Sequence, residues 1–328
     1  MTENEIYKSI QKAMEKPPLI LVGSGGSAPY GLPNMTELGN HLKHSLNKKY
    51  ISDYNWNKFV ENLDHGQDLE SALTDLTLSD EIIDDIRIET WNLISRKDLE
   101  LFEQVVFNNK KLPIGYLLKI FYQSHPKRVN VITTNYDRVI EYACDSVNLP
   151  ICTGFYGLYA KRFIHSFKNS DSINIVKVHG SLDDFRDIHG DTIGIPLLNR
   201  LKPGLIPEII TPGLSKYRSV LKGSIRERLH VSDELIDKAN SFLCIGYGFN
   251  DEHIQEKILT RIHQGIPIVV ITKKLSDTAM HLIIEKAKNY IILEEGAEDN
   301  TTSVCINKEY SFLRECYWSI EGFMKIID

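Results

Sequence analysis

The chain has 328 residues, of which 42% are hydrophobic and 25% charged, a composition typical of a soluble globular protein with one large or two ordinary domains. Its formal net charge of −6 gives no sign of nucleic-acid binding, and no apolar run is long enough to span a membrane. The first five residues are polar and acidic, which is unlike a secretory signal, so we expect a cytoplasmic protein. None of the five cysteines forms a C-x-x-C pair, so we expect no metal site.

The first predicted strand, residues 19–22, runs directly into the glycine-rich segment Gly23-Ser24-Gly25-Gly26-Ser27-Ala28. Written as G-x-G-x-x-A, this segment fits the turn that binds the pyrophosphate of a dinucleotide at the start of a helix. Glycine suits that role because a Cβ atom would block the approach of the backbone to the phosphates. Glycine turns after strands also occur for purely structural reasons, so this segment alone leaves both interpretations open.

A long helical region follows the glycine turn. In an ordinary dinucleotide-binding fold, a second strand ends in an acidic residue about 20 positions after the glycines. Here, helical patterns such as residues 68–76 and 80–107 fill the interval instead. We therefore predict a helical module, about residues 36–127, inserted between the first two strands of a sheet.

The rest of the chain alternates strands with helices. Further strands are predicted at 129–133, 173–178, 242–245, 266–272 and 290–293. Helices are predicted at 136–147, 251–263 and 276–288, with a C-terminal helix at about 305–328. This alternation predicts an α/β fold: a Rossmann-like, doubly wound parallel sheet with a helical insertion module. We expect a single domain, residues 1–328, with its core at 17–35 and 128–295. The irregular stretch 199–215, rich in proline and glycine, is predicted to be a loop near the carboxyl edge of the sheet.

Polar residues and glycines follow four of the predicted strands. The first turn continues to Gly31-Leu32-Pro33; the other strands end in Thr133-Thr134-Asn135-Tyr136-Asp137, Val178-His179-Gly180-Ser181 and Gly246-Tyr247-Gly248-Phe249-Asn250-Asp251. Because an open parallel sheet places its ligand at the carboxyl ends of its strands, these segments predict one shared site. Asn135 and Asp137 are also suited to capping the helix that follows them, a role compatible with catalysis.

In this order, the motifs resemble those of sirtuins: a G-A-G-x-S segment followed by G-I-P, then T-Q-N-x-D, then a catalytic H-G, then a strand that ends in glycine. The resemblance covers mainly residues 19–35, 129–145, 173–182 and 241–255. Sirtuins bind NAD and cleave the bond between its nicotinamide and ribose. The resemblance therefore implies NAD as a substrate.

The resemblance also implies a role for each matching residue. Asn135 and His179 would be catalytic, Asn135 orienting the attacking group beside the nicotinamide ribose and His179 acting as general base. Asp137 would contact the nicotinamide carboxamide. The other residues that would bind the dinucleotide are Gly23, Ser24, Gly25, Ser27, Pro33, Thr134, Gly246, Tyr247 and Gly248.

The sequence departs from typical sirtuin deacetylases in three places. No cysteine occurs between Ser181 and Ser241, where those enzymes carry a four-cysteine zinc module, so no metal is implied. Thr134 replaces the usual glutamine, and Asn34-Met35 replaces the usual D-F. This variant pattern resembles the sirtuin-like domains of bacterial anti-phage defence systems, which hydrolyse NAD to nicotinamide and ADP-ribose. The similarity implies a homo-oligomer, or a separate partner such as a hexameric DNA-translocase ATPase or another phage sensor.

Two alternatives to hydrolysis remain. The chain could be a non-catalytic module that binds NAD or ADP-ribose and changes its assembly state, although a pure sensor would not require a base such as His179. It could instead be a protein deacylase or ADP-ribosyltransferase, which the absence of the cysteine module makes the weakest interpretation. Neither direct nucleic-acid binding nor membrane association is expected.

Overall fold

Strands and helices alternate along most of the chain in the structure, a computed structural model that describes residues 1–67, 69–73, 76–164, 167, 171–211 and 223–328. The helices are α1 (Glu3–Ala13), α2 (Ser24–Ser27), α3 (Met35–Tyr50), α4 (Tyr54–Asp64), α5 (Leu69–Leu73), α6 (Asp80–Asn108), α7 (Pro113–Tyr122), α8 (Val139–Ser146), α9 (Gly223–Lys238), α10 (Glu252–Gln264), α11 (Asp277–Lys286) and α12 (Ile320–Ile327). The strands are β1 (Leu19–Val22), β2 (Val129–Thr133), β3 (Ile151–Cys152), β4 (Phe155–Tyr156), β5 (Lys161–Phe163), β6 (Ile173–Lys177), β7 (Gly180–Arg186), β8 (Thr192–Gly194), β9 (Ile206–Ile209), β10 (Phe242–Ile245), β11 (Ile268–Thr272), β12 (Tyr290–Glu295), β13 (Thr302–Ile306) and β14 (Glu309–Leu313).

The larger of two sheets has the strand order β14-β13-β12-β11-β10-β1-β2-β6-β3. From β12 to β3 all neighbouring strands are parallel, and β1 aligns Leu19 with Phe242 of β10 and with Asn130 of β2. The predicted strands at 19–22, 129–133 and 242–245 are confirmed to the residue. The predicted α/β fold with a doubly wound parallel sheet is confirmed as well.

Helices cover both faces of this sheet. Alternate residues of β1 point to opposite faces: Ile20 and Val22 belong to one buried cluster, and Leu19 and Leu21 to another. The first cluster also contains apolar residues of α1, α7, α8 and α12, and the second contains those of α9, α10 and α11. Burial on both faces explains why these strands read as continuous apolar runs.

The strand order reverses at β1. After β1, the chain adds β2 and β6 on one side of it and then returns to place β10, β11 and β12 on the other side. The carboxyl ends of β1 and β10 therefore flank the topological switch point, where open α/β sheets bind ligands.

Between β1 and β2 the described residues form helices α2 to α7 and one 3-10 turn, Ala28–Tyr30, and contain no strand. The helix expected directly after the glycines is only one turn long, because α2 spans four residues. Helix α3 begins with a capping box in which Asn34 and Glu37 satisfy each other's backbone N–H groups. A separate buried cluster, which includes Trp56 and Phe59, packs α3 to α6 together.

A second, antiparallel sheet was not predicted. It has the order β4-β5-β8-β7-β9 and is built from short strands between Phe155 and Ile209. Part of the predicted loop 199–215 is its edge strand β9, while Pro212 and Gly213 lie outside the described residues. Four of its strands have only two to four residues, which is too few to show a clear period, whereas β7 has seven residues and was not recognised as a strand.

The predicted C-terminal helix, about residues 305–328, is wrong over its first half. Residues 302–313 form the hairpin β13–β14, which extends the large sheet beyond the predicted core limit of residue 295, and only Ile320–Ile327 is helical. Asn307 and Lys308 join the two strands, and both have positive φ values, 47° and 75°. A two-residue turn of this kind matches the twist of paired strands, so it favours a hairpin over a helix.

None of the helices in the described part of the chain combines the length and the hydropathy that crossing a bilayer requires.

Candidate functional site

A cleft of about 380 Å³ opens at the carboxyl edge of β1, β2, β6 and β10. The structure brings the four predicted strand ends together there, and both Asn135 and His179 line the cleft. The predicted binding residues on its wall are Gly23, Ser24, Ser27, Pro33, Thr134, Asp137, Tyr247 and Gly248. Gly25 and Gly246 are not among the residues that line the cleft. The volume is within the range of small-molecule sites.

The glycines at the switch point are required by contact between two turns. A Cβ atom on Gly23 would lie 2.5 Å from the carbonyl oxygen of Gly246, and one on Gly246 would lie 2.3 Å from the carbonyl carbon of Gly25. The Gly25 N–H already donates to the Gly246 carbonyl oxygen over 3.1 Å. The physical reason for these glycines therefore includes backbone packing, in addition to the phosphate approach expected from the sequence.

The side-chain amide of Asn135 is held in one orientation. Its Nδ2 donates to the Gly23 carbonyl oxygen and to Ser27 Oγ, both at 2.9 Å. A carbonyl oxygen can only accept, so the atom facing Gly23 must be the nitrogen of the amide. Oδ1 then points away from both partners, and no donor from the described residues hydrogen-bonds to it. Asn135 thus offers a fixed acceptor in the cleft and does not cap α8.

Asp137 lies at the base of the same loop. Its Oδ1 accepts the N–H of Val139, the first residue of α8, over 3.1 Å, and its carboxyl also hydrogen-bonds with Ser27. Burial raises the pKa of Asp137 to about 6, against the opposing charge of Lys177. The helix-capping interpretation of Asp137 is thus partly correct.

Lys177 fixes the Asn135–Asp137 loop from behind the cleft. Its Nζ donates to the carbonyl oxygens of Tyr136 and Asp137 and pairs with Glu141 at 2.7 Å. Burial raises the pKa of Glu141, and the charge of Lys177 opposes that shift. The side chain of Lys177 is buried, so this ammonium group acts as an internal support for the loop.

Arg138, directly after Asp137, is anchored to the helical module. Asp98 of α6 accepts the Arg138 backbone N–H at 2.7 Å and its Nε–H at 2.8 Å, while Arg138 Nη1 donates to Asp183 of β7 at 2.8 Å. Asp98 is fully buried. The segment from Asn135 to Arg138 is therefore held by three parts of the fold: β6 through Lys177, α6 through Asp98 and β7 through Asp183.

His179 follows β6, and its Nε2 lies 2.5 Å from Oδ2 of Asp251. Asp251 is the N-cap residue of α10, where its Oδ1 accepts the Ile254 N–H over 3.0 Å. Burial of the Asp251 carboxylate raises its pKa. The hydrogen bond to His179 and the charge of His179 outweigh the effect of burial, and the pKa of Asp251 is lowered to about 2. No role for Asp251 was predicted from the sequence, although its place at the end of a strand motif, like those of Asn135 and His179, was the available signal.

The helical module supplies part of the wall that sequence analysis did not identify. Leu38, Glu70 and Ile94 line the cleft from α3, α5 and α6. On the opposite side, His253 and Asn250 come from the segment around the start of α10. Residues so far apart in the chain carry no local pattern that would group them.

The described residues contain no group of three or more histidine, cysteine or acidic side chains placed to hold a metal ion. The five cysteines are free, and burial raises the pKa of the thiols of Cys144 and Cys244. These two cysteines therefore have the properties of core residues.

Comparison with known proteins gives one family match: a family described as the SIR2-like domain matches residues 129–268. This range contains Asn135, His179 and Asp251. No curated protein matches the chain.

Similar solved structures include a mutant Sir2 homologue in complex with 2′-O-acetyl ADP-ribose, 15% identical, with 88% of this chain and 90% of that chain covered and a TM-score of 0.47. A Sir2 protein bound to a propionylated peptide is 13% identical, with 88% and 92% covered and a TM-score of 0.44. A sirtuin studied for its substrate affinity is 14% identical, with 88% and 93% covered and a TM-score of 0.44.

Proposed function

We propose that the chain is an NAD⁺ hydrolase that cleaves the bond between nicotinamide and ribose and releases nicotinamide and ADP-ribose. The observation that carries this proposal is the fixed amide of Asn135, whose Oδ1 has no partner among the described residues, in the same cleft as His179. The order of the strand-end motifs and the SIR2-like match to residues 129–268 support NAD⁺ as the substrate class.

The reaction needs a site that holds a ribose and directs one water molecule. The bond between C1′ and the nicotinamide nitrogen breaks, its electron pair leaves with nicotinamide, and C1′ develops the charge of an oxocarbenium ion. Water attacks C1′ and loses a proton. Asn135 Oδ1 is suited to accept a hydrogen bond from that water, and the imidazole of His179 is suited to take the proton as general base.

The other predicted residues would bind the rest of the dinucleotide. The first turn offers the hydroxyl group of Ser24 for the pyrophosphate. Ser27 would act through its contacts with Asn135 and Asp137, and Asp137 would contact the carboxamide of nicotinamide. Tyr247 and Gly248, beyond β10, would line the adenosine half. No step of this reaction requires a metal ion from the protein.

The proposed biological role is depletion of NAD⁺ in anti-phage defence, leading to abortive infection. It is supported by the resemblance of the sequence to zinc-less, sirtuin-like defence domains. By the same resemblance, we propose that the chain acts as a homo-oligomer or with a phage-sensing partner, such as a hexameric DNA-translocase ATPase. An activity that rises steeply with protein concentration would indicate activation by self-assembly.

The proposal is tested by incubating the full chain with NAD⁺ over a series of protein concentrations and measuring nicotinamide by chromatography. Asn135→Ala should lower the rate about 10²–10³-fold, as when one positioned polar group is lost. His179→Ala should lower it about 10²–10⁴-fold, the usual effect of losing a positioned general base. His281→Ala is the matched control, because His281 is an exposed residue of α11 outside the cleft. Full activity in both cleft variants would refute the mechanism, and calorimetric binding of NAD⁺ without turnover would identify a sensor instead.

A further inference from the structure

We propose that Asp251 is a positioning residue that holds His179 in the Nε2–H tautomer, which makes Nδ1 the nitrogen that accepts the proton. The catalytic half of this statement rests on the proposed hydrolysis. The tautomer itself is a property of the folded chain and can be measured without any turnover.

The carboxylate of Asp251 is fixed through both of its oxygens. Oδ1 accepts the Ile254 N–H at the start of α10, and Oδ2 contacts Nε2 of His179 at 2.5 Å. The side chain of Asp251 is 10% exposed and that of His179 is 23% exposed. A helix terminus therefore holds the carboxylate, and the carboxylate in turn fixes the plane of the imidazole ring.

The chemistry of the pair decides which nitrogen carries the proton. A carboxylate with a pKa of about 2 is ionised at neutral pH and can only accept hydrogen bonds. A neutral imidazole that contacts it through Nε2 must therefore carry its hydrogen on Nε2. The lone pair is then on Nδ1, to which no side chain or backbone group of the described residues donates.

This arrangement gives each nitrogen a separate task in the proposed reaction. An O–H bond of the attacking water breaks, its proton goes to Nδ1, and the water oxygen bonds to C1′ while nicotinamide departs with the electron pair of the broken bond. The imidazolium that forms has its positive charge beside the ionised Asp251. Asp251 does not take the proton; it orients the ring and stabilises the charged form.

The Asp251→Asn variant separates this role from helix capping. Asparagine is as good an N-cap residue as aspartate, so it can keep the bond to the Ile254 N–H. Its amide nitrogen then faces Nε2 as a donor, which forces the hydrogen of His179 onto Nδ1. Asp251→Ser also keeps a capping hydroxyl, but its side chain is too short to hold the ring. The matched control is Asp53→Asn, because Asp53 caps α4 in the same way and lies outside the cleft.

The experiment records the nitrogen resonances of ¹⁵N-histidine-labelled full-length chain at mildly alkaline pH, with His179→Gln used to assign the His179 signals. We expect the unprotonated-nitrogen signal on Nδ1 in the wild-type and Asp53→Asn chains, on Nε2 in Asp251→Asn, and averaged between the two in Asp251→Ser. A wild-type signal on Nε2, or an unchanged tautomer in Asp251→Asn, would overturn the proposal.

NAD⁺ turnover forms the second arm. Asp251→Asn should lower kcat about 10²–10⁴-fold with little change in KM, because the ring presents the wrong nitrogen. A reversed tautomer with full kcat would show that Nδ1 is not the base. If the wild-type chain fails to hydrolyse NAD⁺, the proposed function fails, while the resonances still decide whether Asp251 sets the tautomer.

Discussion

Gly25 and Gly246 form a direct backbone contact: the N–H of Gly25 donates to the carbonyl oxygen of Gly246 over 3.1 Å. The turn after β1 and the turn after β10 thereby meet at the point where the strand order reverses. The contact joins two distant segments of the sequence, and the neighbouring residues Ser24 and Tyr247 line the cleft. It leaves no room for a Cβ atom on either side.

Gly246→Ala should therefore destabilise the fold by about 2–4 kcal/mol, because its Cβ would overlap the backbone of Gly25 and because Gly246 has a φ of 53°. Gly31→Ala is a matched control: Gly31 also has a positive φ, 83°, but no atom of the described residues lies within 4 Å of the added Cβ. We expect Gly31→Ala to lower the free energy of unfolding by only about 1 kcal/mol. Urea unfolding measures both, and equal losses would show that the contact between the turns is unimportant.

Asn135→Asp should strongly reduce NAD⁺ hydrolysis, although the substitution hardly changes the volume of the side chain. The carboxylate cannot donate to the Gly23 carbonyl oxygen, so it would turn away from that partner and lose the fixed acceptor position. We expect kcat for NAD⁺ hydrolysis to fall about 10²–10³-fold, as when one positioned polar group is lost. A steady-state assay beside Asn135→Ala checks this. Wild-type kcat in Asn135→Asp would mean that the amide orientation is irrelevant.

Lys177→Met should lower the free energy of unfolding by about 3–5 kcal/mol, because it leaves Glu141 buried without its charge partner. It also frees the carbonyl oxygens of Tyr136 and Asp137. Adding Glu141→Gln removes the unpaired charge and should restore part of the loss. The comparison requires denaturant curves of the single and double variants. No recovery in the double variant would argue that the loop contacts, rather than the ion pair, carry the effect.

Asp137 and Asp251 should contribute to stability with opposite pH dependence. The pKa of Asp137 is raised from 3.8 to about 6, chiefly by burial, so its contribution is complete below about pH 4 and is lost as the pH rises through 6. The pKa of Asp251 is lowered to about 2, because hydrogen bonding to His179 outweighs burial; its contribution is present above about pH 4 and is lost as the pH falls through 2.

The two pH dependences are measured from free energies of unfolding at a series of pH values. The first difference is the value for wild type minus that for Asp137→Asn, and the second is the value for wild type minus that for Asp251→Asn. The first difference should fall between pH 4 and 6, by on the order of 2–3 kcal/mol, since one pKa unit corresponds to about 1.4 kcal/mol. The second should rise from pH 2 to 4. A first difference that rises with pH would contradict the burial of Asp137.

The parallel sheet and the location of the candidate site follow from local patterns in the sequence. Apolar runs such as Leu19–Val22 and Val129–Thr133 are local signals, and strands buried on both faces keep them uninterrupted. The polar ends of such strands must share one edge of a parallel sheet. For this reason the sequence predicts that Asn135 and His179 lie in one site, and both line the cleft.

The contacts between individual side chains, in contrast, depend on how the elements pack in three dimensions. The contact between His179 and Asp251 depends on how far β6 and the start of α10 extend past the sheet edge, and the position of Lys177 beneath the Asn135–Asp137 loop depends on the packing of β6 against α8. The β13–β14 hairpin likewise forms because its residues find partners along β12, where a local pattern favoured a helix. Strand pairing and buried charge contacts gain their energy between distant segments, so no single stretch of the sequence contains them.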